Sequence, residues 1–122
     1  MKATELRIGN WVNCYAVRIE ISAIAEEYVY DKTESGWFRI NDLNPIPLTE
    51  QWLKDFGFVY SETKKVWMGS KSGWFWLAEK DGYYKLWYYN SLIGRPFKYV
   101  HQLQNLYFAL TGEELERKKG NK

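Results

Sequence analysis

The chain has 122 residues, 46% hydrophobic and 19% aromatic, with seven Trp and ten Tyr. This supports one packed domain, or two small units sharing a core, and excludes wholesale disorder. A formal charge of +2 is too weak for a duplex-DNA binder, and one Cys with one His leaves neither an internal disulfide nor a His/Cys metal cage.

In chain order, Leu6–Val12 reads as a strand broken by a Gly-Asn turn or bulge. Tyr15–Ile24 alternates in part, with Val17, Ile19 and Ile21 on one face and Arg18, Glu20 and Ser22 on the other, which predicts a half-buried strand. Glu27–Tyr30 and Gly36–Ile40 predict two more short strands joined by the polar turn Asp31–Ser35. Four or so short strands in 45 residues predict a small SH3-like β-unit. The prolines of Asn44-Pro45-Ile46-Pro47 then stiffen the connection.

A short helix is predicted from Thr49, which can cap its first turn, with Leu48 and Leu53 at staple spacing and Gly57 as its stop. Phe58–Ser61, Lys65–Met68, Gly73–Ala78 and Tyr83–Tyr89 predict a four-stranded antiparallel meander, with Asp81-Gly82 as a hairpin turn. Asn90–Pro96 reads as a loop because of Gly94 and Pro96. Val100–Leu110 predicts an amphipathic helix with Val100, Leu103, Leu106, Tyr107 and Leu110 on its apolar face and His101 and Asn105 on its polar one. The predicted fold is therefore α+β. Residues 1–45 form the SH3-like unit, 46–117 an α-β-β-β-β-α unit packed on it, and 118–122 a flexible tail.

Three stretches carry a resemblance: Leu6-Arg7-Ile8-Gly9-Asn10-Trp11-Val12; Pro45–Leu53 with Phe56-Gly57-Phe58; and Tyr99–Leu115, which includes His101-Gln102-Leu103-Gln104-Asn105. Together they resemble a group of short proteins from gut bacteria of the Bacteroidales and from their phages and prophages. The resemblance implies a setting, an accessory protein of a mobile element acting inside a bacterial host cell. It carries over no activity and no site residues.

Chemistry is sparse. A Cys14–His101 nucleophile pair lacks any signature around the Cys, and free Cys is usually a small buried hydrophobe. The carboxylates cluster only at Glu26-Glu27 and Glu113-Glu114-Glu116, which read as solvated rather than as a catalytic pair. Gly69-Ser70-Lys71-Ser72-Gly73 lacks phosphate-loop spacing and reads as a hairpin loop. No enzyme activity, cofactor or metal site is expected.

The aromatic hairpin is the remaining signal. Trp74 and Trp76 share one face of their strand, and Lys85, Trp87 and Tyr89 share a face of the next. Both faces are aromatic, so either both are covered or one is an open platform. Residues 46–99 are also the most basic segment, with eight basic and five acidic side chains. The expected ligand site therefore comprises Trp74, Trp76, Trp87 and Tyr89 for stacking, with Lys85, Arg95, Lys98 and His101 for an anion. The function that follows is non-enzymatic binding of a nucleotide-type small ligand, with sequestration of a host nucleotide signal as its specific form. The alternative is a protein–protein interaction module acting on a host or phage protein. A homo-oligomer is compatible with either. Met1–Gly9 contains charges and no apolar run, so neither a secretory signal nor membrane association is expected, and the cytoplasm is the expected address.

Overall fold

A computed structural model describes residues 1–33, 36–69 and 74–117. Parts of the turn at 31–35, the turn at 70–73 with Lys71, and the tail at 118–122 lie outside the described residues. The fold is α+β: two small three-stranded antiparallel sheets, a five-stranded antiparallel sheet, a short helix and a C-terminal helix. The chain divides into two compact units, one of Met1–Pro47 with Tyr99–Glu114, the other of Leu48–Lys98 with the stretch that follows Glu114. The C-terminal helix thus groups with the N-terminal strands rather than with the meander.

In the first unit, β1 (Trp11–Cys14) pairs with β2 (Val17–Glu20) and β6 (Leu43–Asn44). A second sheet has β4 (Tyr28–Asp31) between β3 (Ala23–Ile24) and β5 (Gly36–Arg39). The single strand expected over Tyr15–Ile24 is two strands in two sheets. Tyr15, at φ 53°, turns the chain between β1 and β2, and Ile21 leaves β2 to donate its N–H to Asn10 O at 2.9 Å. Alternation still sets the core: Val12, Cys14, Ile19 and Ile21 are buried together with Leu6, Val29, Ile40 and Leu43. Val17, expected on the same face as Ile19, is exposed beside the turn. The expected strand at Leu6–Val12 begins only at Trp11, after a 3₁₀ turn at Ala3–Glu5.

Helix α2 (Val100–Thr111) closes this unit. Gln102 Oε1 accepts the Tyr99 N–H at 3.1 Å, and Gly112, at φ 75°, ends the helix by donating to Phe108 O. Its buried face differs from the expected one. Val100, Leu103 and Tyr107 are buried, but so are His101 and Gln104, while Leu106 and Leu110 are only half-buried. The helix is rotated toward its amide side chains because they meet the backbone around Gly9. Gln104 Nε2 donates to Gly9 O at 2.8 Å, Gln104 Oε1 accepts from Trp11 N at 2.9 Å, and Asn10 Nδ2 donates to Asn105 Oδ1 at 2.9 Å. Buried polar groups that are satisfied in this way fix a helix face as firmly as apolar ones.

In the second unit, α1 (Glu50–Asp55) is capped by Thr49, whose Oγ1 accepts the Trp52 N–H at 3.4 Å, and stops at Gly57, at φ 92°. The sheet runs in the order β11-β10-β9-β8-β7, with β7 (Val59–Ser61), β8 (Val66–Met68), β9 (Phe75–Lys80), β10 (Tyr83–Tyr88) and β11 (Ser91–Phe97). The expected four-stranded meander is therefore five-stranded, because the segment expected as a loop is β11. The reason lies in its turn. Tyr89 and Asn90, at φ 52° and 68°, form a tight left-handed pair like Asp81 and Gly82, at 55° and 84°. Gly94 and Pro96 are tolerated because β11 is an edge strand and because its register against β10 shifts between Tyr84 and Leu86.

Phe75, Leu77, Leu86, Tyr84 and Trp67 bury the inner face of this sheet. Phe58 meets Phe75 edge-on at 5.9 Å, and Glu50 and Lys54 of α1 line one cleft with Tyr60 and Trp67, so α1 stands over that face. No helix among the described residues is long and apolar enough to cross a membrane.

Candidate functional site

The unbroken register between β9 and β10 settles which hairpin face is open. Trp76 lies opposite Trp87, and Ala78 opposite Lys85. These residues alternate with the buried Phe75, Leu77, Tyr84 and Leu86, so they stand on the outer face. Trp76 and Trp87 are half-buried and Lys85 is exposed. Met68 lies opposite Trp76, Val59 opposite Met68, and Leu92 opposite Trp87. A continuous row of five apolar side chains therefore crosses all five strands, and its ends, Val59 and Leu92, are 64% and 50% exposed.

Trp74 and Tyr89 stack on one another at the open end of the hairpin, with centroids 5.1 Å apart and planes 13° from parallel. At the turn end, Lys80, Asp81, Tyr83, Lys85, Arg95 and Pro96 line a shallow depression of about 530 Å³. The bulge in β11 is what brings Arg95 there. Two extra residues of β11 lie opposite the Tyr84–Leu86 step of β10, which sets Arg95 within the bulge, and Arg95 lines the depression with Lys85. Lys98 holds its Nζ 5.0 Å above the Tyr83 ring, and Lys64 holds its Nζ 4.5 Å above Trp76. The face thus carries rings along its length, with Lys80, Lys85, Arg95 and Lys98 gathered toward its turn end.

Of the expected site residues, Trp76, Lys85, Trp87 and Arg95 share this face, and Lys98 joins it through Tyr83. Trp74 and Tyr89 cap its far end. His101 does not join them. It belongs to the first unit, is 2% exposed and lies with its Nε2 3.4 Å from Glu5 Oε1. Its Nδ1 is buried without a hydrogen-bond partner among the described residues. Burial pushes the imidazole below its ordinary range, and the Glu5 carboxylate partly offsets this, so the ring is held neutral rather than offered to an anion.

Sequence reasoning missed Tyr83, Lys80 and Lys64. Tyr83 has the same parity as Lys85 and Trp87, so extending the period-two pattern by one step finds it. Lys64 reaches Trp76 only through the pairing of β8 with β9, which no local pattern reveals.

Cys14 is buried in the first unit, and desolvation, then the Asp42 charge, push its thiol up, so the thiolate is disfavoured. Among the described residues, no three or more His, Cys, Asp or Glu side chains gather as a metal would require. A second cleft of about 330 Å³ is lined by Glu50, Lys54, Tyr60, Lys65, Trp67 and Glu79. Beside it the Tyr84 hydroxyl is pushed up by burial first and then by the charges of Glu79 and Glu50.

No protein-family model, no curated protein and no solved structure matches the chain.

Proposed function

We propose that the chain is a non-enzymatic binding protein for a nucleotide-type ligand, held on the outer face of the five-stranded sheet. The observation that carries this reading is the neighbourhood of Trp87. This ring lies across from Trp76 and two residues from Lys85, whose depression also contains Arg95. Two residues along a strand span about 7 Å. That is the reach from a stacked base, across its sugar, to a phosphate. Rings stack on any base and Lys or Arg neutralises the phosphate, so the pairing recognises a class of ligand rather than one member.

Carried from the resemblance, the proposed setting is a mobile element in the cytoplasm of a bacterial host cell, and the proposed role is sequestration of a host nucleotide signal. The SH3-like description of the first unit belongs to the same proposal. It is supported by the small sheets β2-β1-β6 and β3-β4-β5, the second inserted in sequence between β2 and β6 of the first.

The second reading is a protein-interaction module, and the apolar row from Val59 to Leu92 favours it, because aliphatic ends this exposed suit a protein surface better than a base. The experiment that separates the two is denaturation of the purified protein, followed by mass spectrometry of what it releases, with calorimetry of a nucleotide panel over a salt series. A released or bound nucleotide whose affinity falls with salt supports the first reading. A co-purifying polypeptide with no nucleotide binding replaces it with the second.

A further inference from the structure

We infer that the outer face takes a ligand with two bases joined by a phosphodiester, splayed along β10 with one base on Tyr83, the other on Trp87 and the bridging phosphate on Lys85 and Arg95. This rests on the nucleotide reading above and narrows it.

Tyr83, Lys85 and Trp87 lie on the same face of one regular strand, in the order ring, cation, ring. At about 3.4 Å per residue, each ring is about 7 Å from the cation, and the rings are about 14 Å apart. A mononucleotide joins one base to one phosphate, so it engages Lys85 with one ring and leaves the other unused. A phosphodiester has a nucleoside on each side, and matches a cation with a ring on each side. The separation also excludes stacked bases, whose rise is about 3.4 Å, so the two bases are splayed as they are in recognised single strands.

Three further features fit this arrangement. Tyr83 is 46% exposed, so a base can reach it even with the Lys98 ammonium close to its ring. The bulge in β11 puts Arg95 in the same depression as Lys85, which adds a second cation where the bridging phosphate falls. Trp76, opposite Trp87, widens the platform at the second base position. The chemistry is shared by a linear single strand and by a cyclic dinucleotide.

The test compares adenosine monophosphate, the linear dinucleotide ApA, cyclic di-AMP and a hexa-adenylate by calorimetry at pH 8 and fixed salt. The monophosphate carries more negative charge than ApA, so a merely cationic patch prefers the monophosphate. The inference expects ApA to bind at least tenfold more tightly. It also expects Tyr83→Ala to remove about tenfold or more from ApA while leaving the monophosphate, held on Trp87, within about twofold. Lys85→Met should weaken both. Tighter binding of cyclic di-AMP than of ApA identifies a cyclic source, and tighter binding of the hexamer identifies a strand; either supports the two-base ligand. Monophosphate binding as tight as ApA, or equal losses of both on Tyr83→Ala, overturns the inference and leaves the nucleotide reading standing. Failure of all four probes to bind overturns both.

Discussion

Replacing Gln104 with Ala should destabilise the protein more than replacing Leu106 with Ala, although hydropathy alone ranks them the other way. Gln104 is 2% exposed, and its amide holds Trp11 N at 2.9 Å and Gly9 O at 2.8 Å. Alanine strands a backbone donor and a backbone acceptor. Each unsatisfied group costs about 1–3 kcal/mol, so the loss is roughly 2–6 kcal/mol. Helix propensity favours Ala over Gln by only a few tenths of a kcal/mol and does not reverse the sign. Leu106 is half-buried, so its truncation forfeits only part of a core leucine's cost, about 1 kcal/mol. The assay is urea unfolding followed by far-ultraviolet circular dichroism. With a slope of about 1–3 kcal/mol per molar, Gln104→Ala should lower the midpoint by roughly 1 M or more, and Leu106→Ala by a few tenths. A larger shift for Leu106→Ala would mean that the face of α2 toward Gly9 has been misassigned.

Two further outcomes are expected. His101 is held neutral by burial, so its folded pKa lies below the ordinary 6.5 and the unfolded chain binds more protons in that range. The stability it contributes is present above about pH 6.5 and is lost as the pH falls through its folded value. His101→Gln should flatten that part of a stability profile measured between pH 8 and 5, and an unchanged slope would show that another group sets it. Cys14 should resist a thiol reagent in the native protein and react at once in denaturant, because its thiolate is disfavoured and its side chain buried; fast native labelling would contradict this.

The legible parts of the fold were those that local chemistry specifies. The Thr49 cap, the Gly57 stop, the Asp81-Gly82 turn and the alternation of β9 and β10 all follow from neighbouring residues, and the structure places them as expected. The strand β11 was illegible because Gly94 and Pro96 carry loop character, while the features that excuse them, an edge position and a bulge, are properties of the sheet. The rotation of α2 was hidden for a related reason. Its cause is an amide network over ninety residues long in sequence separation, from Gln104 and Asn105 to Glu5, Gly9, Asn10 and Trp11. Arg7 adds a bidentate pair to Glu114 at 3.0 Å and lies over Phe108. The segments Leu6–Val12 and Tyr99–Glu114 are thus partners in one contact. This gives Arg7, Gly9, Asn10, Gln104 and Asn105 a structural role.

The candidate site was half legible. Parity along the strand put Lys85 with Trp87, and density of charge pointed to Arg95, but nothing local told a stacking ring from a core ring. His101 is expected in the site because positive charge, a Gly/Pro loop and a helix N-terminus converge near it; its burial against Glu5 follows from the same rotation of α2.

The most direct measurement of the central claim is calorimetric titration of one nucleotide, ApA, into the wild-type protein, Trp87→Ala and Arg95→Ala across a salt series. Trp87→Ala should weaken binding by about 1–3 kcal/mol with the salt slope unchanged. Arg95→Ala should weaken binding and flatten the salt slope in part, because Lys85 still faces the same phosphate. Equal affinity and equal slope in all three proteins would place the nucleotide elsewhere and contradict the assignment of the outer sheet face.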